Sequence, residues 1–520
     1  MGNKMGRQTR FMGWAALAVV ALPSAGFAYG VEVPENGTVP FGRAGAYVAR
    51  ASDPSAVALN MAGVMGQEHP QIMLSVNAGA SSNCFQRSGT YDGNADVSPN
   101  ATGTRFNTRA DGLPGYAGRP YPEVCSDTAV ALAAQVLATY RLNRWVAFGI
   151  GLHTPSTPGA QQNFQDTTTL SGGVLAPSPA RNMLFQKNFL VLYPTIGVAV
   201  APHPRLRFGL ALQPSIASFQ FGLMANAAFT NPQSPDTDLY IQLNAMGFFM
   251  AGAVSTQILA TPWLSFGAQF HYNAPVTASG TANTIAGYYA SPASGQAPGT
   301  FHIDEMHVQL PWNLNAGVRY NRPRRGQPTQ DDGSGHYDPM RDDVFDFEVD
   351  FHYEATHLLG HTAIVNSGNI NVGNGAGVPA PRNIVLDSNL SDTMGVRVGA
   401  DWNIIPGVLA ARLGFSYDTQ GLNASSMVVH IPAYGGESVH AGLSYRWRWL
   451  TINAGVGQFF FQSVDASAST GYIVTPGDGT AANNQLTSCT ASQGQGACTI
   501  SRGTYHGSFT SGSLGFTFRL

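Results

Sequence analysis

Apolar and polar residues alternate with period two in one segment of this chain after another. Across 344–354, Phe345, Phe347, Val349, Phe351 and Tyr353 fall on one side, while Asp346, Glu348, Asp350, His352 and Glu354 fall on the other. The division recurs over 308–320, where Val308, Leu310, Trp312, Leu314, Ala316, Val318 and Tyr320 alternate with Gln309, Asn313, Asn315, Gly317 and Arg319. Met394, Val396, Val398, Ala400 and Trp402 stand likewise against Gly395, Arg397, Gly399 and Asp401. Side chains of an extended chain point to opposite faces in turn, so each segment is predicted to be a strand with one greasy and one polar face. A soluble sandwich alternates too. The length of the runs, about ten residues or more, suits tilted membrane strands better than the ~5 to 6 residues of a globular strand.

About fourteen such strands are predicted, an even number as bacterial barrels require. They lie near 71–80, 128–141, 145–153, 189–200, 205–216, 246–259, 263–274, 306–320, 343–356, 391–403, 408–418, 437–448, 450–462 and 505–520. Very short connections (Asn143 and Arg144, Thr261 and Pro262, Trp449) alternate with long ones (81–127, 154–188, 463–504). Short periplasmic turns and long external loops are the pattern of an outer-membrane barrel. The charged stretch 321–342 breaks the rule, since it should be a periplasmic turn and is long. Trp145, Trp263, Trp402, Trp447 and Trp449 fall at the short-turn ends and read as an aromatic girdle at the inner interface. The last strand puts Leu514, Phe516, Phe518 and Leu520 on one face. The predicted fold is thus all-β, a transmembrane antiparallel barrel over 71–520.

Composition agrees. Only 11% of the 520 residues are charged, against about 25% in a soluble domain, and 60 are glycine. No stretch beyond the N-terminus approaches the ~20 apolar residues of a membrane helix. Lys4, Arg7 and Arg10 precede an apolar run from Phe11 to Leu22 and small residues ending near Ala28, which predicts a signal peptide over 1–28 and export. A formal charge of −3 points to no nucleic-acid partner. The expected surroundings are outer-membrane lipid and lipopolysaccharide, with the protein a monomer. Cys84 and Cys125, then Cys489 and Cys498, sit among Ser, Thr, Asn and Gly. Two loop disulfides are the economical reading in an oxidising compartment, although four cysteines allow three connectivities. No metal or cofactor is expected.

Residues 30–66 are glycine-rich and do not alternate, so they are no membrane strand. Gly42, Arg43, Ala44, Gly45 and Ala46, followed by Ala51, Asp53, Ser55, Ala56, Asn60, Ala62 and Gly63, resemble the FadL family of long-chain fatty-acid transporters, with Met61 where a proline is common. Weaker similarity runs through 145–157, 308–321 and the strands around Met394 and Leu409. The resemblance implies that 29–70 form a hatch in the lumen. It also implies passive uptake: capture of a hydrophobic ligand at external loops, binding beside the hatch, hatch movement, and release sideways at a kinked strand. Long-chain fatty acids are the expected cargo, with aromatic hydrocarbons an alternative within the family.

Specific residues follow from these expectations. Arg43, Asp53, Asn60, Met61 and Gly63 carry the hatch. The apolar stretch Phe219, Phe221, Leu223, Met224 and Phe229, placed in a loop between the fifth and sixth strands, is the candidate capture groove, with a packed helix as the alternative. Gly149, Gly151 and Pro155 mark the candidate lateral opening. Arg319, Asp346, Glu348, Asp350, Arg397 and Arg412 fall on one face of neighbouring strands, where opposite charges suit a cross-strand ladder. The sharper alternative is that Arg319 or Arg397 binds a carboxylate head group through its forked guanidinium. His153, His271 and His440 form no G-x-S-x-G or H-E-x-x-H arrangement, so no enzyme is expected. A general diffusion porin, which would lack a plug, is the rival reading.

Overall fold

The structure, a computed structural model, describes residues 37–91, 106, 113, 115–127, 129–155, 161–181, 183–226, 235, 238–285, 287–289, 299–331, 336–371, 377–379, 383–387, 390–422, 427, 435–466 and 501–520. The expected signal segment, residues 29–36, Phe229, Cys489 and Cys498 lie outside the described residues.

Fourteen long strands close on themselves. They are β1 (Gln71–Arg87), β2 (Ala129–Arg141), β3 (Val146–His153), β4 (Leu184–His203), β5 (Leu206–Asn226), β6 (Asp238–Thr261), β7 (Leu264–Asn273), β8 (Asn313–Pro323), β9 (Asp343–Glu354), β10 (Thr393–Ile405), β11 (Leu409–Asp418), β12 (Gly436–Trp447), β13 (Leu450–Phe461) and β14 (Gly503–Arg519). Each pairs antiparallel with the next, and β14 returns to β1 with Gln71 opposite Arg519. Leu520 N also donates to Pro70 O at 2.9 Å, fastening the two ends of the wall. Closure removes every sheet edge at membrane depth, where no water can satisfy an unpaired peptide group.

The alternation read from the sequence is the inside and outside of this wall. Ile72, Leu74, Phe148, Ile150, Phe248, Phe347, Phe351, Leu413 and Val456 are exposed on the outer face, whereas Ser75, Gln213, Gln257, Gln269, Asn315, Glu348 and Asp350 are buried toward the lumen. All five expected girdle tryptophans are exposed, and Trp449 stacks on Phe518 at 5.7 Å. Trp263 lies 5.9 Å from Tyr320. Among the described residues no helix is long and apolar enough to cross a membrane.

Two expectations need correction. The run 306–320 is not one strand. Val308 ends a separate strand, Gly299–Val308, and β8 begins only at Asn313. Pro311 between them has no N–H to extend a ladder, so Val308 and Leu310 turn inward and are buried in an apolar cluster instead of facing lipid. The second correction concerns Phe219, Phe221, Leu223 and Met224, which are neither loop nor helix but the continuation of β5, opposite Ala245, Leu243, Ile241 and Tyr240 of β6. With 24 residues, β6 rises well beyond the 10 of β7, and its upper half is completed by Val276–Ile285. That strand pairs onward with Gly299–Val308, then His361–Ser367 and Asn383–Asp387, raising one side of the wall on the extracellular side. Cys84 and Cys125 form a disulfide that ties β1 to the short strand Glu123–Cys125.

Candidate functional site

The N-terminal segment lies inside the barrel. It consists of two single turns of helix, Thr38–Phe41 and Ala56–Leu59, a 3-10 turn Met61–Gly66, and tight turns between them. Nearly all of it is buried. Glycines on the wall make room for it: a Cβ at Gly267 would stand 2.6 Å from Ala49 Cα, one at Gly414 2.7 Å from Arg43 Cα, and one at Gly197 2.7 Å from Met61 Sδ. Met61, where the family pattern has proline, fills the space between Gly149 of β3 and Gly197 of β4. Gly63 is required by close approach to Ala51, whose φ of 36° bends the chain back over it.

The strongest tie is ionic. Asp346 of β9 and Asp401 of β10 sit directly opposite each other across the ladder. Like charges so placed repel, and both are buried. Two arginines from the N-terminal segment bridge them. Arg43 Nη1 reaches Asp346 at 2.8 Å and Asp401 at 2.6 Å, with Nη2 on Glu348 at 3.2 Å. Arg50 Nη1 reaches Asp346 at 2.7 Å and Asp401 at 2.8 Å. The rest of the acidic row takes backbone donors: Asp350 accepts from Tyr47 N and Val48 N at 2.7 and 2.9 Å, and Glu348 from Ala49 N at 2.6 Å. Gln257 and Gln269 donate to Ala49 O and Ala58 O. Asn60 binds Val48 O and Thr256 O and caps the 3-10 turn by accepting from Ala62 N. Asp53 receives the Tyr47 hydroxyl at 2.8 Å and Ser55 N at 2.8 Å, closing a local turn. Arg43, Asp53, Asn60, Met61 and Gly63 all lie in this buried segment inside the barrel. Arg50 was not singled out by the sequence, although an arginine in a mostly apolar, non-alternating segment was the available signal.

The wall arginines are engaged by protein carboxylates. Arg319 pairs with Asp343 at 2.7 Å and Asp346 at 3.1 Å and meets Gln330 and Tyr337. Arg397 pairs with Asp418 at 2.7 Å, and Arg412 with Asp401 at 3.2 Å. The expected charge ladder exists: Arg412 pairs with Asp401 directly opposite it, Arg319 and Arg397 reach Asp346 and Asp418 diagonally, and the N-terminal segment supplies the other contacts.

Below this layer, residues 324–331 and 336–342 of the long turn fold up into the periplasmic mouth. Asp338 pairs with Arg446 and with Arg519 at 3.1 Å, and Asp331 with Arg205 at 2.9 Å. Glu68, just past the N-terminal segment, joins Arg341 at 3.2 Å and Arg519 at 3.1 Å. A polar pocket lies between the two layers, lined by Arg50, Asp53, Glu68, Asp338, Arg412 and Arg519 among others. The sequence showed the length of this turn but not its direction.

Above, the interior is apolar. Val191, Tyr193, Phe219, Leu243, Phe249, Phe301, Met306 and Leu310 form one cluster on β4 to β6 and the raised wall. A second, tyrosine-rich cluster joins Tyr91, Tyr116 and Tyr289 of the connections to Met224 of β5 and Tyr505 of β14. Phe219 thus belongs to the first and Met224 to the second, with Phe221 packed against the first. The β3 ladder against β4 ends at His153 opposite Tyr193, Thr154 and Pro155 lie outside any strand, and the next pairing to β4 among the described residues is Gln161 opposite Asn188. Gly149 touches Val57 and Met61 of the N-terminal segment, Gly151 packs on Leu137, and Pro155 stands two residues past the end of the ladder.

No family model and no curated protein matches the sequence. Solved structures do. A FadL homologue of Pseudomonas aeruginosa aligns over 95% of this chain and 100% of its own at 12% identity and a TM-score of 0.62. The toluene transporter TodX of P. putida aligns over 94% and 99% at 13% identity and a TM-score of 0.59. The toluene transporter TbuX of Ralstonia pickettii aligns over 93% and 98% at 14% identity and a TM-score of 0.56. The chain therefore has the fold of the FadL-type transporters, a closed fourteen-stranded barrel of the bacterial outer membrane.

Proposed function

We propose that this protein is a passive uptake channel for hydrophobic small molecules, and not an enzyme or an open porin. The observation that carries the reading is the lumen itself, filled by the chain's own N-terminal segment on a bed of buried ion pairs with an apolar interior above it. An outer membrane supplies no ATP, so the cargo moves down its gradient. Burying each methylene is worth ~0.8 kcal/mol, so a long apolar ligand held in a static pocket would leave slowly. Movement of the N-terminal segment as a hatch provides the release. The interrupted ladder after His153, next to Met61 and Gly149, is the exit this reading favours, and the clusters holding Phe219, Phe221 and Met224 are the capture surface.

The family resemblance makes a long-chain fatty acid the first cargo to test. Neighbours described as toluene transporters give the second, aromatic hydrocarbons. Engagement of Arg319 and Arg397 by Asp343, Asp346 and Asp418 favours the second. The test is growth of a deletion strain on oleate and on toluene, with planar-bilayer recording of the purified protein. Uptake lost for either compound, with no steady conductance, supports the channel; a steady open conductance with unaltered growth on both makes it a porin.

A further inference from the structure

Under the apolar cluster, where the β3 ladder stops, a set of buried polar side chains is arranged as a relay. Asn313 Nδ2 donates toward His271 Nδ1 at 3.5 Å, which leaves His271 Nε2–H to donate to Gln213 Oε1 at 2.8 Å. The amide of Gln213 then points its Nε2 at His153 Nε2, 3.3 Å away, and at Thr195 Oγ1, 3.2 Å away. An imidazole nitrogen that accepts forces the proton onto the other one, so the relay makes His153 Nδ1–H a donor. That atom is buried and has no partner. Neither have Gln135 Oε1, an acceptor on the strand position directly opposite His153, nor Thr154 Oγ1 beside it. All three residues are more than nine-tenths buried. Buried polar atoms are normally satisfied, and three orphans at one place form a matched donor and acceptor waiting for a guest.

The surroundings define the guest. Tyr193 lies over the site, its ring 5.3 Å from His153 and 5.4 Å from His271, with Phe249 6.1 Å beyond. The hydrogen bonds of the relay run between amides, imidazoles and a hydroxyl. Lys187, the inward lysine of β4, stands six residues from Tyr193, roughly 20 Å up the strand.

We infer that Gln135, His153 and Thr154, oriented by Gln213 and His271, bind the hydroxyl group of an otherwise apolar ligand, a phenol or a fatty alcohol. The hydroxyl donates to Gln135 Oε1 and accepts from His153 Nδ1–H while the hydrocarbon body packs on Tyr193 and Phe249. A carboxylate has no proton for Gln135, and none of Gln135, His153, Thr154, Gln213 and His271 is an arginine or lysine that could pair with it, so it enters uncompensated. A plain hydrocarbon fits but leaves the orphans unmade. This rests on the proposed channel function and narrows its cargo.

The experiment is equilibrium dialysis of the purified full chain in detergent, corrected for partition into micelles, with two probe pairs: 4-ethylphenol against ethylbenzene, and decanol against decanoate at neutral pH. The hydroxylated member of each pair should bind roughly tenfold tighter, the ratio one hydrogen bond supplies. Gln135→Met and, separately, His153→Phe should erase that preference while leaving ethylbenzene binding in place, and heat-modifiable migration on gels checks that each variant is folded. Equal affinity within each pair for the wild type, or a preference that survives both variants, overturns the inference while the channel reading stands. Binding of none of the four probes overturns both.

Discussion

Replacing Arg43 by alanine is the most direct way to ask what holds the N-terminal segment in the barrel. The substitution deletes contacts to Asp346, Asp401 and Glu348 at 2.6 to 3.2 Å, together with the Nε bond to Ala46 O at 2.7 Å. Asp346 and Asp401 would still face each other across the ladder, now with Arg50 as the bridge from the plug side. Breaking a fully buried ion pair by removing one partner costs about 3–5 kcal/mol, because the other charge stays desolvated. If that cost falls on seating alone, it shifts the seated-to-displaced ratio roughly a hundredfold to a thousandfold or more. Planar-bilayer recording reads this as frequent openings in Arg43→Ala where the wild type is closed. The double variant Arg43→Ala with Asp346→Asn should recover part of the loss, since it removes the repulsion between the two facing carboxylates. Wild-type conductance in Arg43→Ala, together with an unaltered melting temperature, would show that the ionic seat does not hold the segment and would refute the reasoning.

Gly267→Val should unseat the same segment sterically, because even a Cβ there stands 2.6 Å from Ala49 Cα; a crystal structure or bilayer trace unaltered by the change counts against a tight fit. In the periplasmic layer, burial acts to raise the Asp338 carboxyl, but the Arg446 and Arg519 guanidiniums outweigh it and hold it below the usual carboxylate range. Its folded pKa is therefore below its unfolded one, so its stabilisation is complete above an unfolded value of about 4 and disappears as pH falls through the depressed folded value. Asp338→Asn should accordingly lower stability by ~2 kcal/mol at neutral pH, and melting curves of the two proteins should converge only in strong acid; a constant gap down to that range contradicts the assignment. Arg319→Ala and Arg397→Ala should lower the melting temperature and leave oleate affinity unchanged, whereas a selective loss of oleate binding would revive the head-group role. Reducing Cys84 and Cys125, 41 residues apart, removes about 4 kcal/mol of chain constraint. Proteinase K should then cut between them faster while the barrel keeps its heat-resistant migration, and equal cutting rates would argue that packing alone orders that loop.

The wall was legible because lipid and a polar interior impose opposite demands on successive residues, as in β9, where Phe347 and Phe351 face out while Glu348 and Asp350 face in. Each of the fourteen expected segments overlaps a barrel strand. Alternation failed where both faces of a strand meet protein or where it cannot report a break. Val308, Leu310 and Trp312 keep perfect period across Pro311, although the ladder changes there. The upper part of β5 read as a loop because Ala217 and Phe219 on one face and Met224 on the other are all buried against protein, so no lipid pattern remains above the membrane. Arg43 was found through resemblance, since nothing in its spacing from Asp346 or Asp401, some three hundred residues on, could announce a contact. The His153 relay stayed hidden for a related reason: its members come from β3, β4, β5, β7 and β8, and each alone is an ordinary inward polar residue.

The acidic row on β9 also bears on how the molecule is put together. Stripped of its N-terminus, the inner wall at that level would confine Asp343, Asp346, Glu348, Asp350 and Asp401 with Arg319 and Arg412 as their immediate counter-ions. The leading residues supply the remaining cations, Arg43 and Arg50, so the charge balance of the closed wall is completed from within its own lumen.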